Sequence, residues 1–315
     1  MNKATRTPHT RRLSHRMLAA SGALALGVLT ACTPGDGSDT TAQNDTPTVI
    51  ATFTVLADMA QNVGGEYITV ESLTKPGAEI HDYDPTPSDV KKGADADLIL
   101  ANGLGLEAWF EQFLQDTDAQ SVTVSEGVQT INIAEAESAG KPNPHAWMSP
   151  LAAQTYVDNI ADAFAELDPD NADAFRANAE TYKKQLQAVH DELVAGLSTV
   201  PEGKRALVTC EGAFSYLAAD AGLTEKYLWA VNSDGEPSAS RVAEVAVFVE
   251  DNKVPAVFCE STVSSKTMEQ VAQESGSTYA GALYVDSLSE EGGDVPTYLD
   301  LIRHDAETIA EALSK

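Results

Sequence analysis

From Thr48 onward the chain alternates short β-branched and aromatic runs with amphipathic stretches, and the alternation breaks once, between Ser149 and Leu197, before it resumes. That interrupted rhythm excludes most folds. A βαβα alternation builds a parallel sheet covered by helices on both faces, so two such blocks imply two α/β lobes. In the first block TVIATFTV, YITVESL, ADLILAN and SVTVSE read as strands. LADMAQNVGG, the stretch opened by Thr86-Pro87-Ser88-Asp89, and LEAWFEQFL read as helices. In the second block RALVTC, EKYLWAV, PAVFCES and TYAGALYV are the strands, and FSYLAADAG, SASRVAEVAVFVEDN, VSSKTMEQVAQESG and VPTYLDLIRHDAETIAEAL the helices. The interruption carries apolar residues at helical spacing: Tyr156, Ile160, Phe164 and Leu167, then Phe175, Tyr182, Leu186, Val189, Leu193 and Leu197. Asp168-Pro169 divides it, with Asp168 expected as a cap and Pro169 in the first turn. A second helix from about Pro169 to Leu197 would reach ~40 Å at 1.5 Å per residue. The expected fold is therefore α/β, with two lobes, each a parallel sheet flanked by helices, joined by one long rigid helix.

The segments that follow are a lipoprotein signal peptide at 1–31, a flexible tether at 32–47, a first lobe at 48–150, a helical region with the linking helix at 151–200, and a second lobe at 201–315. The signal reading rests on a basic stretch ending at Arg16 and a short apolar run too small-residue-rich to span a bilayer. The run ends Leu29-Thr30-Ala31-Cys32, which resembles a bacterial lipobox with Cys32 as the acylated residue. The polar stretch after it has no core-forming residues and reads as a tether. The remaining hydrophobic content suffices for two cores. Formal net charge is −28, and residues 1–31 hold five basic residues and no acid, so the rest is more acidic still. Such a surface repels nucleic acid.

Four residues far apart in sequence stand at strand ends: His81, His145, Glu211 and Asp286. Ligands bind outside the carboxyl ends of strands in open α/β sheets. Two imidazoles and two carboxylates gathered there would make a mixed nitrogen and oxygen site for a divalent metal. Singly, each has a plainer role as a turn residue or helix cap. Glu260, in FCEST, is the strongest competitor for a ligand position; His190 and His304 fall within helices, and His9 and His15 leave with the signal. With Cys32 assigned to lipid, Cys210 and Cys259 remain, both ending strands. Outside the cytoplasm such a pair is expected as a disulfide over two free buried thiols.

EIHDYDPTPSDV, NPHAWMSP, VTCEGAFSYLA, EPSASRVAE, VFCESTV and LYVDSLS resemble the motifs of the solute-binding lipoproteins of metal-ion ABC importers, the manganese, zinc and iron group. The resemblance runs from about Thr48 to the C-terminus. It implies that His81, His145, Glu211 and Asp286 bind one ion between two lobes joined by a long helix. The cysteine positions are similar to those of the cyanobacterial manganese-binding member, which implies a Cys210–Cys259 disulfide. If formed, it would fix the backbone presenting Glu211, and its loss is expected to weaken metal affinity more than folding stability. Asn143 stands where many members have Asp, a change in the charge beside His145.

Zinc-binding members usually use a third His and a His-rich loop, whereas residues 82–144 contain no histidine. Two carboxylates favour a harder ion, so manganese(II) is expected first, then iron(II), then zinc. The implied partner is an ABC permease in the membrane, served by a lipid-anchored monomer facing outside the cytoplasm. The chain is expected not to be an enzyme. The alternatives are a zinc- or iron(II)-specific importer protein and, further off, a metallohydrolase, for which no general base or oxyanion donor accompanies the four residues.

Overall fold

The computed structural model describes residues 46–107, 109–114, 119–135, 138–231 and 237–315. The expected signal peptide and Cys32 lie outside the described residues, as does nearly all of the tether.

The first half runs β1 (Thr48–Ala51), α1 (Thr54–Gly64), β2 (Thr69–Ser72), α2 (Pro87–Ala94), β3 (Leu98–Ala101), α3 (Phe110–Leu114) and β4 (Gln120–Thr123). These strands form a four-stranded parallel sheet in the order β2-β1-β3-β4. The first strand is shorter than TVIATFTV suggested. Val55, Leu56, Met59, Ala60 and Val63 are all buried at helical spacing. That stripe draws Thr54 and Val55 into α1, against their β propensity. Helix α2 begins as its sequence proposed: Thr86 and Asp89 close a reciprocal capping box with Pro87 in the first turn. After β4 the chain doubles back in a short antiparallel hairpin, with Asn132 bridging Pro142. Ile133 of that hairpin packs on Tyr227, Ala230 and Val231 of the second half.

The helical region holds α4 (Ala152–Leu167), one 3-10 turn at Pro169–Asn171, and α5 (Ala172–Leu197). Helix α5 has 26 residues, ~39 Å at 1.5 Å per residue. It buries Phe175, Ala179, Tyr182, Leu186, Val189, Leu193 and Leu197 along one face. The expected Asp168 cap is not made. Its carboxylate accepts from the Asn171 side chain at 2.6 Å instead of a backbone amide, because the 3-10 turn intervenes.

The second half runs β5 (Ala206–Glu211), α6 (Ser215–Ala221), β6 (Thr224–Trp229), α7 (Ala239–Asn252), β7 (Ala256–Glu260), α8 (Lys266–Ser275), β8 (Thr278–Leu283) and α9 (Tyr298–Leu313). Its strands pair in parallel as β5-β6 and β7-β8. Among the described residues no ladder joins β5 to β7, yet a Cys210–Cys259 disulfide holds them side by side with Cα atoms 4.8 Å apart.

Helix α5 packs on α1, α4 and α9, and α1 also touches α9. The main hydrophobic cluster consequently includes residues of both halves, from Val49, Phe53 and Trp147 to Phe258, Tyr298 and Leu313. Two separate cores were expected. The linking helices instead fuse them, and smaller clusters fill in beneath each sheet. No helix among the described residues is long and apolar enough to cross a membrane.

Candidate metal centre

Each of the four residues reaches the site from a different local structure. His81 lies in the loop between β2 and α2, where its amide and that of Ile80 both donate to Glu79 Oε1 at 3.0 Å. The Trp109 indole donates to the Ile80 carbonyl at 3.2 Å, fixing the loop from the other side. His145 precedes a 3-10 turn at Ala146–Met148 and is fully buried. Asn143 Oδ1 accepts from both the His145 amide (3.0 Å) and its Nδ1 (2.8 Å). With the ring proton on Nδ1, the lone pair of Nε2 faces the site, the tautomer a metal needs.

Glu211 is the last residue of β5 rather than the first of a turn, as the sequence suggested. Its amide donates to Glu260 Oε2 at 3.0 Å. The next residue, Gly212, sits so close to Tyr227 and the Ala230 carbonyl that a Cβ would meet them at 2.8 and 3.0 Å. A side chain there would push Glu211 out of place. Asp286 lies beyond β8, with its neighbours held by three hydrogen bonds to the first half. Trp147 Nε1 donates to the Val285 carbonyl (3.1 Å), Gly77 N to Ser287 Oγ (2.7 Å), and Leu288 N to Thr54 Oγ1 (2.9 Å).

The structure brings all four together: one donor atom from each lies within 4.8 Å of every other. The two Nε2 atoms are 3.0 Å apart, and Glu211 Oε1 is 3.3 Å from His81 Nε2 and 3.5 Å from His145 Nε2. Asp286 Oδ1 is 4.0 Å from His145 Nε2. With metal–ligand bonds of ~2.1 Å, donors at right or tetrahedral angles stand roughly 3.0–3.4 Å apart, so two of these distances match one ion, the third is just beyond that range, and Asp286 needs a small approach.

The electrostatics suit a cation. Burial, then the neighbouring His81, pushes the His145 pKa well below its ordinary value, so the ring is neutral and able to ligate. Burial and then the Glu211 carboxylate push Asp286 well above the usual carboxylate range. A divalent ion between the two carboxylates removes that conflict.

Glu260, the competitor, stands behind the site rather than in it. It is buried, supports the Glu211 amide, and is pushed well above its ordinary range by burial and then by Glu211. Together with Cys210 and Cys259 it forms a second acidic and sulfur cluster, but there the sulfurs are spent in the disulfide. His190 and His304 sit on α5 and α9, as expected. The sequence reading missed the supporting roles of Trp147 and Ser287, both of which lie in motifs already quoted, NPHAW and YVDSL.

Residues 49–312 match the ZnuA family, described as the zinc-uptake complex component A, periplasmic. The chain is 47% identical over 268 residues to the iron-binding protein YfeA of Yersinia pestis, covering 85% of this chain and 86% of that one. It is 34% identical over 268 residues to the manganese-binding lipoprotein MntA of Halalkalibacterium halodurans, covering 85% and 88%. The structure of a Mn-bound periplasmic metal-binding protein from Candidatus Liberibacter asiaticus superposes with a TM-score of 0.80 at 37% identity, over 85% of this chain and 99% of that one. These relatives make the chain a metal-binding solute receptor of the ABC-importer class rather than an enzyme. The chain belongs to the ZnuA family of such receptors.

Proposed function

We propose that this protein captures one divalent transition-metal ion with His81, His145, Glu211 and Asp286 and delivers it to the membrane permease of an ABC importer, manganese(II) being its cargo. The observation that carries the reading is the buried two-nitrogen, two-carboxylate cluster with donor atoms within 4.8 Å of one another. Two carboxylates suit a hard ion, and two negative ligands neutralise a 2+ charge. Iron(II) is the second reading, favoured by the 47% identity to an iron-binding relative.

The ligands are 0–9% exposed, with His81 the most open, so an ion enters and leaves only when the halves part on the His81 side. Helix α5 packs on both halves and restricts that parting to a small rearrangement. Binding draws the halves together, and the closed form docks on the permease, which takes the ion. Acylation at Cys32 anchors the monomer outside the cytoplasm, each buried CH₂ contributing ~0.8 kcal/mol.

Calorimetric titration of the metal-stripped protein with manganese(II), iron(II) and zinc tests this. One-to-one binding that disappears in Asp286→Ala is expected, with zinc binding at least as tightly in vitro because of the Irving–Williams order. Binding that survives in Asp286→Ala and His145→Ala would place the site elsewhere. Uptake of radioactive manganese by cells that depend on this receptor, unaffected by excess iron(II), separates the two cargo readings.

A further inference from the structure

Asn143 makes contacts on both sides of the donor cluster. Its amide oxygen accepts from the His145 amide and from His145 Nδ1. Its amide nitrogen donates to the Gly212 carbonyl at 2.6 Å and to Ser215 Oγ at 3.1 Å. Gly212 directly follows Glu211, so one side chain from the first half orients a histidine and grips the turn behind a carboxylate of the second half. Its own backbone is held equally firmly: its amide donates to the Ile131 carbonyl at 2.8 Å, and its carbonyl accepts from the Tyr216 hydroxyl at 2.7 Å. The residue is 1% exposed.

An amide is the side chain this position calls for. It accepts at one end and donates at the other, and both partners at the donating end present oxygen. Ser215 spends its own proton on Glu225 Oε2, at 2.5 Å, so its oxygen is an acceptor for Asn143. A carboxylate would still orient His145 but would set an oxygen against the Gly212 carbonyl. It would also add another buried carboxylate to Glu211, Asp286 and Glu260.

We propose that Asn143 is a positioning residue that keeps His145 and Glu211 in register across the two halves, and that its donated bonds slow release of the ion. This rests on the metal-carrier reading above. One end of the amide governs ligand geometry and the other governs the holding together of the halves, so the two can be separated.

The test uses the stripped mature protein with manganese(II) for affinity, stopped-flow chelation for the release rate, and cobalt(II) absorption as a report on ligand geometry. Asn143→Ala removes both ends. It is expected to weaken manganese binding by ~10–100-fold, the usual cost of losing a partner that orients a ligand histidine, and to alter the cobalt(II) spectrum. Asn143→Asp keeps the acceptor for His145, so the cobalt(II) spectrum should stay that of the parent. Its release rate should rise at least ~3-fold, as the loss of about one net hydrogen bond implies. The added negative charge would by itself slow release, so acceleration reports the lost bridge. Ser215→Ala, which keeps the Gly212 bond, should release faster than the parent and slower than Asn143→Asp. It also keeps the test standing if Asn143→Ala fails to fold. Affinity of Asn143→Ala within twofold of the parent, or release from Asn143→Asp no faster than the parent, overturns the proposal. If the parent binds no metal, or if His145→Ala leaves its binding intact, the carrier reading itself fails, a different outcome from either of these.

Discussion

Glu211 and Asp286 both come from the second half of the chain, but they are held in opposite ways. Glu211 ends a strand. The β5-β6 ladder places it opposite Trp229, the disulfide bonds the residue before it to β7, and Glu260 accepts its amide. Asp286 has left its strand, and the residues around it bond to Trp147, Gly77 and Thr54 of the first half, while Tyr284 N donates to Asp305 on α9. The strand end that carries Glu211 is braced mainly from within the second half, with Asn143 reaching the turn behind it, whereas the Asp286 segment is bonded to both halves. The bonding around Asp286 therefore does not follow a cut in the sequence. Opening the site must either break those three hydrogen bonds, at about 1 kcal/mol each, or leave the Asp286 segment behind with the first half.

Removing either carboxylate should have the largest effect and does not distinguish them. Glu211→Ala and Asp286→Ala are each expected to weaken manganese(II) binding on the order of 10³-fold, about 4 kcal/mol. Thermal melts give a direct check. At a thousandfold excess over the dissociation constant the parent gains about 4 kcal/mol from the ion, and both variants should gain almost nothing. A full metal-induced shift in either variant would remove that residue from the ligand set.

The disulfide separates the two carboxylates. Cys210 and Cys259 are 49 residues apart, and chain-entropy arithmetic for a loop of that size gives ~4 kcal/mol of stability. Glu211 retains its ladder and its bond to Glu260 when the disulfide is cut. Cys259→Ser is therefore expected to lower unfolding free energy by ~3–4 kcal/mol and manganese affinity by less than ~10-fold, about 1.4 kcal/mol. That reverses the order expected from the sequence, where Cys210 next to Glu211 suggested an effect mainly on binding. Chemical denaturation and titration of the same variant decide between them: an affinity loss larger than the stability loss restores the earlier view.

Much of this was legible before the structure. The strand and helix rhythm, the long helix and the Thr86 capping box follow from local periodicity and turn chemistry, which act over a few residues. The juxtaposition of the four site residues was expected from motif positions at strand ends, and the disulfide from the compartment. What stayed hidden depends on partners distant in sequence. Thr54 and Val55 are β-branched, and only the core they pack against shows that they start a helix. Asp168 looks like a cap, yet the 3-10 turn after it moves the helix start out of its reach. The bonds around Asp286 join residues 138 to 234 positions apart, and no local pattern encodes them.

Another contact between the halves carries a titratable group. Asp58, on α1, accepts the amide of Tyr298 at the start of α9 at 3.0 Å, and the Asn62 side chain at 3.1 Å. Burial raises its pKa from 3.8 to about 6. A carboxyl whose folded pKa lies above its unfolded value contributes stability in full below the unfolded value, and that stability is lost as pH rises through the folded one. Between pH 4 and 7 the cost grows by roughly 2.4 kcal/mol, at 1.36 kcal/mol per pKa unit. Asp58→Asn keeps an acceptor for Tyr298 and does not ionise. Its stability relative to the parent should thus climb across that window, with manganese affinity at pH 7 changed little. A difference between the two that stays flat from pH 4 to 7 would show that this contact does not titrate there.

The smallest effect tests the comparison most sharply. Ser287 Oγ receives the Gly77 amide from the His81 loop and lies 3.4 Å from Thr54 Oγ1. Ser287→Ala deletes that link while leaving Asp286, the disulfide and β8 untouched. If the Asp286 segment is shared between the halves, manganese affinity should fall ~3–10-fold, the worth of about one net hydrogen bond, with unfolding free energy changed by a similar small amount. If the segment belonged to the second half alone, the variant would bind like the parent. Combining it with Cys259→Ser adds a second criterion. Two carboxylates held by independent devices should give affinity losses that sum within ~0.5 kcal/mol, whereas a shared support would make the double variant depart from the sum. Additivity would mean that the disulfide beside Glu211 and the Ser287 link beside Asp286 support the two carboxylates independently of one another.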